Sequence, residues 1–461
     1  MTGRTPHWIL VGTILGSGAV FVEGSVTMVA LPAIARDFHL GIAGLQWVLN
    51  GYLLTLSSLM LLGGALGDHF SRRGVFTIGL AGFSIASIAC ALAPNLPLLV
   101  AARVLQGAAG ALVVPNSLAL LETTFSGAKR GAAVGHWSAW SAISGAFGPL
   151  VGGWLIDAAS WRWVFVCIAP FAAAAVVAVG VGRDARQHTN ARPNVDYAGA
   201  ALVTLALAGV VGALIAGPEA GFTKPGPLVT LIGGVLLLLA FALVERRMKS
   251  PLVPLAIFRV RQFTGVNATT LVVYAALNGL FFLLMLQLQT TMHYSAMRAG
   301  ASLLPINVLV LMLSPIAGRA ITRVGARPLM VVGSLIAACG MLLFTRVRPD
   351  ASYATSVLPA ALVFGTGLGC FVAPLTSVAL SALGEERAGL ASGMNNAVAR
   401  LAGLLAVAGV PLAAGLGGVH QLEGAVVARG FARAMIICAA LCAAGSVIAA
   451  VTIHDSRSAD G

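Results

Sequence analysis

The stretch WILVGTILGSGAVFVEGSVTMVAL, Trp8–Leu31, decides what kind of protein this is. It is apolar almost throughout and long enough to cross roughly 30 Å of hydrocarbon as a helix. The Ala33-Ile34-Ala35 that follows looks like a signal-peptidase site, yet the run before it is about twice as long as a signal h-region and carries Glu23. It reads as a first membrane helix that is retained.

Working outward, comparable runs follow at Leu45–Gly67, Val75–Ala93, Leu96–Leu120, Gly131–Ile156 and Trp161–Val181. A polar stretch, Arg183–Asp196, precedes two more, Tyr197–Ala216 and Leu228–Glu245. A basic stretch, Arg246–Gln262, precedes the last six: Thr264–Thr290, Ala301–Ile321, Pro328–Thr345, Ala354–Leu380, Gly389–Leu416 and Ala432–Ile453. The pattern is six, two and six. Composition agrees: 58% of the 461 residues are hydrophobic and 9% charged, whereas soluble domains carry about 25% charged side chains for their surfaces. The net charge of +13 does not point to nucleic acid, because the cations sit in short gaps between apolar runs instead of forming one basic face. The six cysteines lie inside apolar stretches without metal-site or disulfide spacing, so they read as packing residues.

Cytoplasmic loops hold the excess of Lys and Arg. With the N-terminus inside, the cytoplasmic segments carry eighteen: Arg4, Arg72, Arg73, Lys129, Arg130, Arg183, Arg186, Arg192, Arg246, Arg247, Lys249, Arg259, Arg261, Arg319, Arg323, Arg327, Arg387 and Arg457. The outer gaps carry eight, and Arg103 and Arg400 lie within helices. Both termini are expected in the cytoplasm, with the protein multi-pass in the inner (plasma) membrane. An internal repeat supports two halves. Gly64-Ala-Leu-Gly-Asp68-His-Phe-Ser-Arg72-Arg73 matches Gly318 to Arg327, Gly110 with Pro115 matches Gly369 with Pro374, and Gly131-x-Ala133-x-Gly135 matches Gly389-x-Ala391-x-Gly393. Repeats of this kind are a building principle of secondary transporters.

These residues resemble the fourteen-helix drug:proton antiporters of the major facilitator superfamily over nearly the whole chain. Glu23-Gly-Ser-Val-Thr27-Met-Val-Ala-Leu31-Pro32 is similar to a signature of that family in which aspartate usually stands at the position of Glu23. Gln46-Trp47 and Tyr52-Leu53 resemble its second helix. The superfamily's loop motif is present as Gly64, Leu66, Asp68, Arg72 and Arg73, with His69 for the usual arginine and Ser71 for the usual glycine. Arg103, Gln106, Gly107 and Gly110 match the motif linked to proton coupling. Gly148-Pro149-x-x-Gly152-Gly153 matches the antiporter motif, with Ser144 at its first glycine, and Trp161-Arg162-Trp163-Val164-Phe165 is a further family-like run, with Ile168 where an asparagine is common. The resemblance implies two six-helix bundles joined through an inserted helix pair, alternating access and proton antiport. The division is residues 1–182, 183–262 and 263–461.

Glu23 is the acidic side chain well inside an apolar run, and burying charge in hydrocarbon is costly enough to mark a functional position. It lies roughly 12 Å from the outer end of the first run, and Arg103 roughly 10 Å from the outer end of the fourth, at about 1.5 Å per residue. The two are expected to meet. Glu23 would alternate between a deprotonated form paired with Arg103 or a cationic substrate and a protonated form, since desolvation favours the neutral carboxyl and a nearby cation the charged one. A static ion pair fixing helix packing is the alternative. The repeat places Leu362 opposite Arg103, which puts proton handling in the N-terminal half. Asp68, Arg72, Arg73 and Gly64 read as a gating loop latching the cytoplasmic side. Gly148, Pro149, Gly152 and Gly153 allow close helix approach and a kink.

An amphipathic substrate needs apolar and aromatic walls with a few polar groups. One face of the ninth helix offers Asn267, Tyr274, Asn278, Phe281 and Met285; the second offers Gln46, Asn50 and Ser57; the fifth offers Trp137 and Trp140. Arg400 is a further charge in the thirteenth, either touching substrate or paired structurally. There is no phosphate-binding loop, catalytic constellation or metal-ligand cluster, so neither an enzyme nor a cofactor is expected. The expected partners are a small-molecule substrate, protons and the lipid bilayer, with no nucleic acid and a monomeric chain. The function expected is proton-coupled efflux of small amphipathic or cationic compounds. The alternatives are a dedicated exporter of one metabolite or antibiotic, and a non-transporting membrane sensor.

Overall fold

A computed structural model describes residues 5–181, 195–248, 251–384 and 387–454. Arg4, Arg183, Arg186, Arg192, Lys249 and Arg457, counted above among the cytoplasmic cations, lie outside the described residues, as do most of the polar stretch after the sixth run and the end of the tail. Among the described residues there is no strand. Fourteen helices are long and apolar enough to cross a membrane: α1 (Pro6–Phe38), α2 (Ile42–His69), α3 (Arg72–Leu92), α4 (Leu96–Thr124), α5 (Lys129–Ala158), α6 (Arg162–Val181), α7 (Tyr197–Ala220), α8 (Pro225–Arg247), α9 (Arg261–Thr291), α10 (Ala296–Val324), α11 (Ala326–Phe344), α12 (Tyr353–Ser381), α13 (Ala388–Ala413) and α14 (Gly424–Thr452). The chain is a multi-pass membrane protein of the all-helical kind its apolar runs predict.

Helix ends differ from the apolar runs where polar residues continue the backbone ladder. α1 passes through Pro32 and ends at Phe38, so Arg36, beyond the apolar run Trp8–Leu31, lies in its last turn. Hydropathy marks the part that lipid tolerates, whereas the helix continues as long as its backbone groups are paired. Side-chain caps start several helices, among them α3, where Ser71 accepts from Gly74 N (3.2 Å), α4, where Asn95 accepts from Leu98 N (3.0 Å), and α7, where Asp196 accepts from Gly199 N (2.8 Å). Gly325, the repeat position of Ser71, takes φ +93° between α10 and α11, a left-handed value that a side chain would strain.

The described residues within Met1–Val253, with Ser295–Gly300, form one compact unit; those within Pro254–Tyr294 and Ala301–Gly461 form a second. Each has the same internal plan. In the first, α4 packs between α2 and α3, and α1 packs against α5 and α6. In the second, α12 packs between α10 and α11, and α9 packs against α13 and α14. Small residues allow these approaches. A side chain on Gly107 would collide with the Tyr52 carbonyl on α2, and one on Gly340 would meet the Phe364 backbone on α12 at 2.5 Å.

The inserted pair belongs to the first unit. α7 lies along α2, where Thr204 Oγ1 donates to Ser58 Oγ (2.9 Å) and Gly212 faces the Trp47 ring (3.6 Å). α8 packs on α7 through Gly209 and Gly234, where a Cβ on Gly209 would stand 3.1 Å from the Gly234 Cα, and its Val229, Leu236, Leu239 and Leu243 are exposed as on a lipid-facing helix.

Candidate functional site

The first unit holds a buried polar network where α1, α2, α3 and α4 meet. Glu23 and Arg103 are both 0% exposed and form an ion pair through Glu23 Oε1 and Arg103 Nη1. Thr27, one turn further along α1, donates its hydroxyl to the same carboxylate oxygen at 2.7 Å. The guanidinium is held from three other directions. Its Nε donates to the Val48 carbonyl of α2 (3.0 Å), its Nη1 also reaches Gln106 Oε1, and its carbon lies 4.4 Å from the centre of the Tyr52 ring. Gln106 Nε2 passes the chain on to Ser87 Oγ of α3 at 2.6 Å, and Phe165 of α6 covers the guanidinium at 5.7 Å. Glu23 Oε2 and Arg103 Nη2 have no hydrogen-bond partner among the described residues.

The sequence dictates this meeting through packing. Gly107 and Gly51 let α2 and α4 approach until Gly51 lies 3.3 Å from the Val100 carbonyl, measured from where a Cβ would stand. Thr55 Oγ1 seals the crossing by donating to Val104 O at 2.7 Å. That contact puts Arg103 under Tyr52 and next to the Val48 carbonyl. A carboxylate and a guanidinium removed from water must be paired, and each additional hydrogen bond offsets part of the desolvation cost.

The other residues singled out in the sequence fall into separate places. In the loop between α2 and α3, Arg72 donates twice to Asp68 Oδ1 (3.0 and 2.7 Å) and once to the Ala119 carbonyl at the end of α4 (3.2 Å). Arg73 donates to the Gly180 carbonyl at the end of α6 (2.9 Å), and Gly64 faces Pro115 at 3.6 Å. The loop thus ties α2, α3, α4 and α6 together within its own unit. The antiporter motif is a seam between α5 and α1: Gly148 lies against Val22, Ser25 and Val26, and Gly152 against Val26. Gly153 and Pro149 lie against the short stretch Ser295–Gly300, and Asp157 accepts from Ala296 N (3.0 Å) and Met297 N (2.9 Å) there.

Gln46 and Asn50 are buried on α2, and both amide atoms of Asn50 lack a partner among the described residues. Trp137 is half-buried, donating to Ser17 Oγ (3.0 Å) and packing on Phe21, whereas Trp140 is 52% exposed. In the second unit the α9 face is divided among neighbours. Asn267 is buried and accepts from Asn395 of α13 (3.3 Å), Phe281 packs edge-on against Phe364 of α12 (6.4 Å), and Met285 is core. Tyr274 and Asn278 are half-buried, Asn278 lies against Gly403, and Arg400 comes within electrostatic reach of Tyr274. Thr27, Tyr52 and Ser87 join the network without having been named as site residues. Thr27 carried a signal, since it stands one turn from Glu23.

A cleft of about 570 Å³ opens elsewhere in this unit, at the far ends of α1 and α5. Asp37 there accepts from Arg162 Nη1 (2.7 Å) and Trp161 Nε1 (3.0 Å), and the salt bridge ties the end of α1 to the start of α6.

Comparison with known proteins accords with the fold. Residues 13–407 match the family described as Major Facilitator Superfamily. The chain is 36% identical to the puromycin resistance protein pur8 of Streptomyces alboniger, over 87% of this chain and 80% of that protein. It is 34% identical to the tetracenomycin C resistance and export protein of Streptomyces glaucescens (91% and 78% covered) and 34% identical to the multidrug resistance protein Stp of Mycobacterium tuberculosis (86% and 73%). Among solved structures, a bacterial homolog of the human lysosomal transporter Spinster, inward-facing and unoccupied, aligns with TM-score 0.69 at 15% identity over 98% of both chains. A D-xylose-proton symporter aligns with TM-score 0.66 at 16% identity over 97% and 98%. With relatives that are resistance and export proteins and a family of transporters of small molecules, the chain belongs to the Major Facilitator Superfamily.

Proposed function

We propose that this protein exports small amphipathic or cationic compounds in exchange for protons. The observation that supports this most directly is the Glu23–Arg103 pair, fully buried and yet with one carboxylate oxygen and one guanidinium nitrogen unpaired among the described residues. Protonating Glu23 would turn its carboxyl from a charged acceptor into a neutral donor. Arg103 would then keep the Val48 carbonyl, Gln106 and the Tyr52 ring, so the cation stays in place while the acid changes partner. A positively charged drug competes for the same carboxylate. Each net charge moved is driven by about 2.3 kcal/mol per 100 mV of membrane potential.

In this reading the working division is residues 1–182, 183–262 and 263–461, the protein is a monomer in the plasma membrane, and both termini are cytoplasmic. The loop of Gly64, Asp68, Arg72 and Arg73 acts as the gate. The seam of Gly148, Pro149, Gly152 and Gly153 lets α5 approach α1 closely, as the antiport reading requires. Gln46, Asn50, Trp137, Trp140, Tyr274, Asn278, Phe281 and Arg400 contribute to substrate contact.

The test is efflux of ethidium from cells, or its uptake by inverted vesicles, with and without a proton gradient, comparing wild type with Glu23→Gln at matched protein levels. Gradient-dependent movement lost in the variant is the expected result. Full proton-coupled transport by Glu23→Gln would remove Glu23 from the mechanism. A second reading, a dedicated exporter of one antibiotic, is favoured by two relatives named for single compounds, puromycin and tetracenomycin C. Transport of one compound and indifference to ethidium would decide for it.

A further inference from the structure

The foot of the α7–α8 hairpin holds two carboxyl groups that the transport reading does not use. Asp196 caps α7, its Oδ1 accepting from Gly199 N at 2.8 Å. Glu245, in the last turn of α8, accepts from Val253 N through Oε2 at 3.1 Å. Both side chains belong to residues only 3% exposed. Their remaining oxygens, Asp196 Oδ2 and Glu245 Oε1, have no donor among the described residues, although the two carboxyl groups lie in hydrogen-bonding contact with each other. Both oxygens converge over Gly199: a Cβ there would stand 2.9 Å from Glu245 Oε1 and closer still to Asp196 Oδ2.

Two ionised carboxylates cannot satisfy one another, because each is only an acceptor and like charges removed from water repel. Among the described residues, the charged and titratable groups around them supply no donor. On their own helices, Tyr197, Arg246 and Arg247 are exposed. From α2, which packs along α7, the titratable residues toward this end are Asp68 and His69, and Asp68 is paired with Arg72. A hard divalent cation would need six or more oxygen ligands, whereas Oδ1 and Oε2 are committed to backbone N–H groups. One proton resolves the arrangement.

We infer that Asp196 and Glu245 bind a single proton between them, one as carboxylic acid donating to the other as carboxylate, and that this proton locks α7, α8 and the segment at Val253 together. The segment leads directly along the chain to Pro254, where the second compact unit begins. Removing the proton sets two negative charges side by side and loosens the hairpin at its foot. The unfolded chain gives up such a proton in the ordinary carboxyl range, near about pH 4. Raising the pH above that range therefore costs the wild-type fold stability that a Glu245→Gln chain retains, since its amide can donate to Asp196 permanently.

The experiment is thermal unfolding of the purified full-length protein in detergent from about pH 5 to about pH 9, for wild type, Glu245→Gln and Asp196→Asn. The expected result is a melting-temperature advantage of both variants over wild type that widens by several degrees as pH rises. A difference that stays constant with pH overturns the inference. Should either variant not fold, dicyclohexylcarbodiimide, which attacks protonated carboxyls in apolar surroundings, probes wild type alone. Labelling of Asp196 or Glu245 at neutral pH that fades toward alkaline pH supports the shared proton, and no labelling overturns it. Stabilisation of wild type, but of neither variant, by Mg²⁺ or Ca²⁺ assigns the oxygens to a metal instead. Efflux is not among the readouts, so the outcome is independent of the role of Glu23.

Discussion

The two units pack their helices by one plan and hold their helix junctions with different chemistry. In the first, α1, α2, α3 and α4 meet around Glu23, Arg103, Gln106 and Ser87. In the second, α9, α11 and α12 meet around Phe281, Phe344 and Phe364, edge-on at 6.3 to 6.4 Å, while Leu362, the repeat position of Arg103, is exposed on the outer face of α12. Aromatic side chains hold such a junction by area and ring geometry, with nothing to desolvate. The charged version is therefore not needed to build the fold. Buried ion pairs often give no net stability relative to well-packed apolar residues, so a pair kept in one unit, while the other packs the same helix plan through apolar contacts, points to work that the fold alone does not require.

That contrast can be broken in measurable ways. Arg103→Ala leaves Glu23 buried without its cation and should cost about 3–5 kcal/mol in unfolding of the purified protein. The double variant Glu23→Leu/Arg103→Met should recover most of that loss and still show no gradient-driven efflux. Stability that does not return would mean the pair is structural after all. Phe364→Ala in the second unit should cost about 3–4 kcal/mol, from lost area and a cavity, while leaving the proton dependence of whatever transport remains unchanged. Thr27→Val removes one charge-assisted hydrogen bond to Glu23 and should cost about 1.5–3 kcal/mol, with a shifted pH profile of efflux as its functional sign. The repeat loops give the smallest contrast. Ser71→Ala should cost about 1 kcal/mol by removing a cap and Ser71→Gly only a few tenths, whereas Gly325→Ala should cost about 1 kcal/mol because its φ is positive.

Much of the architecture was legible because a bilayer fixes helix length and tolerates few charges. Glu23 and Arg103 could be matched because each lies in an apolar run with no other ion within reach, and depth measured along the apolar runs brought them level. The helix itself extends past Pro32 to Phe38, so the hydropathy window was the better ruler. The rest of the network was hidden for a physical reason: the Val48 carbonyl, the Tyr52 ring and Ser87 are ordinary membrane-helix groups until a neighbour is docked on them. Periodicity placed Asn267, Tyr274, Asn278 and Phe281 on one face of α9 but could not say that Asn395 and Phe364 cover parts of it. Asp196 and Glu245 stand at the ends of apolar runs, where a charge reads as an interfacial one. Only folding the hairpin brings them together and out of water.

α8 is held to α7 by a glycine crossing, Gly209 against Gly234, with its outer face apolar. A contact made of shape alone leaves no broken hydrogen bond behind when it is absent. The attachment to the host bundle adds a polar contact, Thr204 to Ser58 Oγ, and Ser58 donates to the Leu54 carbonyl of its own helix in any case, so α2 would lose the hairpin with no buried donor left unpaired at that point.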